Sequence, residues 1–348
     1  MASIMVVGGY GDVGKAAVTE LLKQSTDQIV VGGRNSQKGQ QFILQLDNPK
    51  LKFQLIDIYD KKTYKDKLLG VSTIIMCLSP KTVDFAAYCL RMGINYIDIS
   101  ASYQTTANLF HLDQTEINAV GLLGVGICPG LSTLLVKQLA NEFDTVEQIE
   151  LTLLLGMGDQ FGKDALIWLL DNLSQSFWWI VQGKFVKMKP FQLKKSICFE
   201  PKKRPLPAYT FNLADQQILA KNFSSSKVAT YFTLDDRRIL SILALLTKIH
   251  FFKLLRYPKV YRAVLYLSSL SNRFSKRSTS SFSIHVTLEG KKEGKSILSE
   301  RILLGENSSE TTGKLAAHSA RLLQKKEVKN GLSDLSTHFE LSDFQNYL

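Results

Sequence analysis

The sequence predicts an α/β chain whose N-terminal part is a doubly wound parallel sheet, and three observations carry that expectation. Gly9, Gly11 and Gly14 make G-x-G-x-x-G directly after the apolar run I-M-V-V at 4–7 and before a helical pattern. Further short apolar, β-branched runs follow, each separated from the next by a helical stretch, as parallel strands with crossover helices require. The 348 residues are too many for one core and enough for two domains.

The first unit is a strand, a tight turn and a helix N-terminus. Gly9 allows the turn, Gly11 lets a pyrophosphate approach the backbone, and Gly14 lets helix and strand pack closely. The helix start adds unpaired N–H groups and a partial positive charge. Gly8, Gly9, Tyr10, Gly11, Asp12, Val13 and Gly14 are therefore the expected dinucleotide cradle of a Rossmann-type domain. Gly9, Gly14 and Lys15 also fit the start of a Walker A loop. Ala16 stands where that loop needs a hydroxyl for magnesium, so Lys15 reads as a solvated first-turn residue.

The second strand is Q-I-V-V-G-G at 28–33, followed by Arg34, Asn35 and Ser36. NAD-specific folds end this strand in a carboxylate that grips the ribose 2′-OH. Arg34 instead offers a cationic fork for a 2′-phosphate, with Asn35, Ser36 and Lys38 as further donors. The expected cofactor is NADP (NADPH), in preference to NAD.

The sheet continues with strands at 53–58, 72–78 and 95–99 and a sixth at 124–127, with helices at 60–69 and 82–92 between them. Asp57 closes the third strand, where it reaches the adenine or caps the next helix. Ser79 and Pro80 follow the fourth, where the nicotinamide end should lie, beyond the carboxyl ends of the strands.

Composition narrows the class. With 45% hydrophobic residues and no low-complexity segment the chain reads as a soluble globular enzyme. Cys77, Cys89, Cys128 and Cys198 show no C-x-x-C pair, so reduced thiols and a cytoplasmic location are expected. The five histidines lack metal-ligand spacing, so no metal is expected. The net charge of +12 is uneven: residues 1–150 hold 13 Lys and Arg against 15 Asp and Glu. From 237 to 288 there are ten Lys or Arg, no acid, and several apolar stretches too short to span a bilayer. That segment is either the solvated side of buried helices or a face for an anionic membrane or substrate. No nucleic-acid module surrounds the charges, so nucleic acid is not an expected partner.

In order along the chain, G-G-Y-G-D-V-G-K at 8–15, V-G-G-R-N at 31–35, C-L-R-M-G-I-N-Y-I-D-I-S at 89–100, G-V-G-I-C-P-G-L-S at 124–132 and N-G-L-S-D-L-S-T-H-F-E at 330–340 resemble the saccharopine dehydrogenase-like family of NAD(P)-dependent oxidoreductases. The resemblance implies a cofactor domain over 1–128, an α+β substrate domain over 129–310 and a tail over 311–348 whose helix, near 312–326, returns to the first domain. Leu315, Ala316, Ser319, Leu322 and Leu323 share one face of that helix. The substrate domain would begin with a strand at 148–155 and end with strands at 281–288 and 299–304. It also implies a small-molecule substrate held in a cleft between the domains. A homodimer stays open.

Family chemistry is mostly reduction of an imine formed from an amine and a carbonyl, or its reverse. A cationic iminium needs orientation against the cofactor more than a strong general acid. In several amine-forming relatives an Asp precedes the P-G of the fourth motif; here it is Cys128, whose thiol cannot hold an ammonium as a carboxylate does. The catalytic group is thus unassigned, with Cys128, Asp98 and Asp215 as candidates beside Asp159. Lys163, Lys184 and Arg204 are candidates for a substrate carboxylate. Trp178 and Trp179 cannot both face one way, so one lines a cleft or an interface. Three readings follow: an NADP-dependent enzyme of C–N bonds, a membrane-peripheral reductase of a lipid- or polyketide-like C=C or C=O substrate, and a non-catalytic NADP-binding regulator.

Overall fold

The computed structural model describes residues 3–24, 27–156, 158, 163–181, 184–200, 204–223, 227–271 and 281–347. The chain divides into two compact units, one formed by residues 1–131 with 309–347 and the other by 132–308.

The first unit holds a seven-stranded sheet built from β1 (Ser3–Val7), β2 (Gln28–Gly33), β3 (Leu51–Leu55), β4 (Val71–Met76), β5 (Asn95–Asp98), β6 (Val120–Leu123) and a late strand, Gly331–Asp334. The order is late strand, β6, β5, β4, β1, β2, β3, and every pairing is parallel. The strand order changes direction between the neighbours β1 and β4, which puts the topological switch point at the end of β1. Successive β1 residues alternate faces, yet all are buried, so both sheet faces are covered by helices. Met5, Val7, Val30, Ile74, Met76 and Tyr96 pack on one side with Tyr64, Phe85 and Leu90. Helix Asp12–Gln24 buries Ala17, Val18 and Leu21. The C-terminal helix Ser308–Lys325 buries Leu315, Ala316, Ser319 and Leu322, while Leu323 is half-buried. Gly313 lets it lie directly on helix Asp12–Gln24, since a Cβ there would stand 2.5 Å from the Val13 carbonyl oxygen.

Three expected elements are corrected. The strand expected at 53–58 ends at Leu55, because Asp57 folds the chain into a turn. Its carboxylate accepts the Tyr59 N–H (3.0 Å) and its carbonyl accepts that of Asp60 (3.1 Å). Ile56 and Ile58 are buried in that turn and imitate a strand in sequence. The helix expected at 60–69 is a 3-10 turn, Lys61–Thr63, followed by a single helical turn, Tyr64–Lys67. The sixth strand is Val120–Leu123, not 124–127. Gly124 turns into the left-handed region (φ 66°), and Val125 and Ile127 are buried in a loop. The strand Gly331–Asp334 in the tail was not foreseen.

The second unit contains strands β7 (Thr145–Leu155), β8 (Phe177–Val181), β9 (Lys184–Met188), β10 (Lys194–Ile197), β11 (Leu206–Thr210), β12 (Lys227–Leu234), β13 (Ser281–Lys292) and β14 (Lys295–Glu306); the late strand of the first unit is β15. Six of them make a mixed sheet in the order β10, β11, β12, β7, β13, β14, and β8 pairs with β9 alone. Only the β12–β7 pairing is parallel. No described helix is long and apolar enough to cross a membrane.

Candidate functional site

The glycine turn sits at the carboxyl end of β1, where a doubly wound sheet binds its ligand. Gly8 has φ 80°, a conformation that suits glycine, and its N–H donates to the Gly32 carbonyl at 2.8 Å. The Gly11 N–H donates to the Gly8 carbonyl (2.9 Å), and the Gly11 carbonyl accepts the first helical bond from Lys15 (2.8 Å). The N–H groups of Asp12, Val13 and Gly14 therefore precede that bond and serve an incoming anion. Gly14 is packed tight, since a Cβ there would stand 2.3 Å from the Gly8 carbonyl oxygen. Gly11 differs: a Cβ would meet only the Gly8 oxygen, at 3.3 Å, and otherwise project into open space. That open space has room for a pyrophosphate, and a side chain would fill it.

Tyr10 links this turn to the end of β2. Its hydroxyl accepts the Asn35 N–H at 3.0 Å, and its ring covers Gly33, where a Cβ would come within 2.5 Å of the ring. Arg34 lies between these anchored neighbours, exposed and with no ion pair among the described residues. Asn35 is the N-cap of helix Ser36–Leu46, its side-chain oxygen accepting the Lys38 N–H at 2.9 Å. Of the donors expected here, Asn35 and the Lys38 backbone are thus committed to the cap, while the Arg34 guanidinium and the Lys38 ammonium stay exposed. Lys15 is exposed as expected, 5.8 Å above the Phe42 ring. Asp57 is a turn cap. Ser79 and Pro80 follow β4 in the loop that starts at Cys77, and the next residue, Lys81, donates its N–H to the Tyr59 hydroxyl at 3.1 Å.

The same edge of the sheet carries Asp98, the last residue of β5. Its side chain is buried and satisfied: Tyr96 donates its hydroxyl (3.2 Å) and Ser100 its N–H (2.7 Å). Burial pushes its carboxyl up to about 6. Its carbonyl accepts the Val125 N–H at 2.8 Å, which ties β5 to the loop that holds Cys128. In that loop Gly126 and Gly130 are in backbone contact; a Cβ on Gly130 (φ 126°) would stand 2.1 Å from the Gly126 oxygen. Cys128 is buried within it. Gly126 faces Thr312 near the start of the C-terminal helix: a Cβ there would stand 3.5 Å from the threonine methyl group.

These features fit an NADP nucleotide, and the family comparison agrees. Residues 4–119 match the family described as saccharopine dehydrogenase NADP binding domain. Residues 4–119 are therefore an NADP-binding domain of the saccharopine dehydrogenase type. No curated protein sequence matches it. Apo saccharopine dehydrogenase (L-Glu forming) from Saccharomyces cerevisiae superposes with a TM-score of 0.63 at 12% identity, over 96% of this chain and 94% of that one. DAP dehydrogenase of C. glutamicum in complex with DAP gives 0.49 at 12% identity, over 97% and 93%. An engineered D-amino acid dehydrogenase bound to NADP+ gives 0.48 at 12% identity, also over 97% and 93%.

The remaining candidates lie in the second unit. Asp215 opens helix Asp215–Asn222, fully buried, and accepts the Ser132 hydroxyl proton. Asp98 and Cys128 belong to the first unit. Asp159 and the side chain of Lys163 lie outside the described residues. Lys184 and Arg204 are exposed. Trp178 is exposed and Trp179 buried, as their alternation on β8 requires.

A polar group on the mixed sheet escaped the sequence reading. Lys195 donates to Glu150 at 2.9 Å and lies 4.1 Å from the Tyr231 ring. His285 Nε2 is 3.1 Å from Glu300, and burial holds the imidazole below its usual range. His285 Nδ1 and the Trp179 indole N–H are buried without a partner among the described residues. The only sequence signal was polar residues at alternate strand positions, Glu150 and Thr152, with His285 opposite Thr152 in register. Among the described residues no cluster of His, Cys, Asp or Glu is placed to hold a metal.

Proposed function

We propose that the protein transfers hydride to or from a C–N bond, reducing an imine made from an amine and a carbonyl or running the reverse. The observation that carries this reading is the superposition on saccharopine dehydrogenase across nearly the whole of both chains, joined to an NADP-binding domain. NADPH, when bound, supplies the hydride. The chain's own residues then have three tasks. The Gly8–Gly14 turn and the helix start hold the diphosphate, and Arg34 takes the 2′-phosphate. The loops after β4, β5 and β6 shape the carboxyl edge of the sheet, with Asp98 fixing Ser100 and Val125 as a positioning residue. An iminium carries its own positive charge, so orientation of the reacting carbon is the main demand on the site.

Cys128 bears on the substrate. Buried in a loop closed by Gly126 and Gly130, it offers no carboxylate for a substrate ammonium. The amine partner is therefore gripped by another group, or it carries no free ammonium at that place.

The test is NADPH oxidation by the purified chain against a panel of 2-oxo acids and aldehydes, each with and without an amine partner. The reading expects turnover that requires both components. Oxidation by a carbonyl alone would replace it with C=O reduction, and silence across the panel would favour the non-catalytic regulator.

A further inference from the structure

In the second unit, helix Arg237–Lys248 packs against the rest of the protein with little of its apolar surface. Leu240 is its one buried residue, while Ile242 is 56% exposed and Leu245 59%. Ile249, which caps the helix, is 61% exposed. Arg238, Ile242, Leu245 and Ile249 recur at helical spacing and make one stripe, with Ser241 and Lys248 beside them. An amphipathic helix normally turns such a stripe inward. Here the stripe faces outward, and Leu254, Tyr257 and Tyr266 extend the exposed apolar surface beyond it.

The charges around the stripe have one sign. Arg237, Arg238, Lys248, Lys253, Arg256, Lys259 and Arg262 fall between 237 and 266, with no Asp or Glu in that span. The nearest acids are engaged: Asp236 caps the helix by accepting from Arg238 and Ile239, and Asp171 accepts from the Tyr261 hydroxyl at 3.4 Å. A cavity of about 580 Å³ adjoins the face; Leu245, Lys248, Lys253, Phe252, Tyr209 and Lys189 are among the residues lining it, and no carboxylate is. Ser174, Gln175, Ser176, Gln192 and Thr247 line it as well, and its charged groups are cations.

We propose that this face docks on an anionic phospholipid bilayer. The apolar stripe and Tyr257 enter the headgroup–acyl boundary, and the flanking Lys and Arg meet the lipid phosphates. Residues 272–280, within the basic segment of the sequence, lie outside the described residues and take no part in the argument. Charge complementarity decides the occupant: a second copy of this chain would set exposed cations such as Arg238, Lys248 and Lys253 against their like, whereas an anionic leaflet neutralises them. The inference is independent of the substrate reading, because docking is measured without turnover.

The test is co-sedimentation of the full chain with phosphatidylcholine vesicles, with or without ~30% phosphatidylserine. The protein should pellet only with the anionic vesicles and be released at ~0.5 M salt, where screening shortens the reach of surface charge. Ile242→Ser with Leu245→Ser should cut partitioning roughly tenfold or more, as should Lys248→Glu with Lys253→Glu. These positions are exposed, so an unchanged melting temperature serves as the folding control. Failure of the folded wild type to pellet would overturn the proposal, as would undiminished pelleting of both variants. A wild-type dimer that the serine variant converts to monomer would also overturn it, by giving the face to a second copy.

Discussion

In the proposed reading, Gly11 and Arg34 divide the recognition of NADP between shape and charge. Gly11 contributes by lacking a side chain, since the space in front of it is open and faces the helix start. Gly11→Val should abolish binding of NADPH and NADH alike while the fold survives, because only the Gly8 oxygen comes near a Cβ there. Arg34 contributes a charge that only the 2′-phosphate uses. Arg34→Asp should weaken NADPH binding by roughly tenfold or more and leave NADH nearly unchanged, the loss expected for a charge-assisted contact turned repulsive. Titration of both variants with both cofactors checks the pair; equal losses for the two cofactors in Arg34→Asp would show that the end of β2 had been misread. The glycine turn at the end of β1 was legible in sequence because glycine is the residue type that such a turn requires. The clasp of Tyr10 on Gly33 and Asn35 was not, since it joins two loops 25 residues apart.

At the scale of elements, legibility followed periodicity. The buried strands and the C-terminal helix carry regular apolar patterns and were found within a few residues of their ends. Residues 53–58 and 124–127 were misread for one reason: Ile56, Ile58, Val125 and Ile127 are buried in turns, and burial in a turn looks like a buried strand. Asp98 shows what such turns do, because its carboxyl and carbonyl hold the loops after β5 and β6 together. Its protonated form is favoured in the fold, with a value near 6 against the usual 3.8. The stability tied to that protonation is present below pH 3.8 and is lost as pH rises through 6. Asp98→Asn keeps an oxygen for the Ser100 N–H and should remove this part of the pH dependence. Melting temperatures across that window should fall less with rising pH in the variant; parallel curves would mean that Asp98 titrates normally.

For the whole molecule, the first unit could be read from sequence because most of its βα units are local, with only β4 against β1 and β15 against β6 pairing over longer range. The mixed sheet of the second unit is assembled over longer range. There β7 pairs with β12 and β13, so no short window displays its register or the cluster of Lys195, Glu150 and His285. The fold is like that of saccharopine dehydrogenase at only 12% identity. The account as a whole rests on a phosphate cradle that prefers the phosphorylated cofactor. Calorimetric titration of the folded full-length chain with NADPH and NADH tests it most directly. The prediction is one site per chain with NADPH bound roughly tenfold tighter or more; no heat from either cofactor, or tighter binding of NADH, would contradict it.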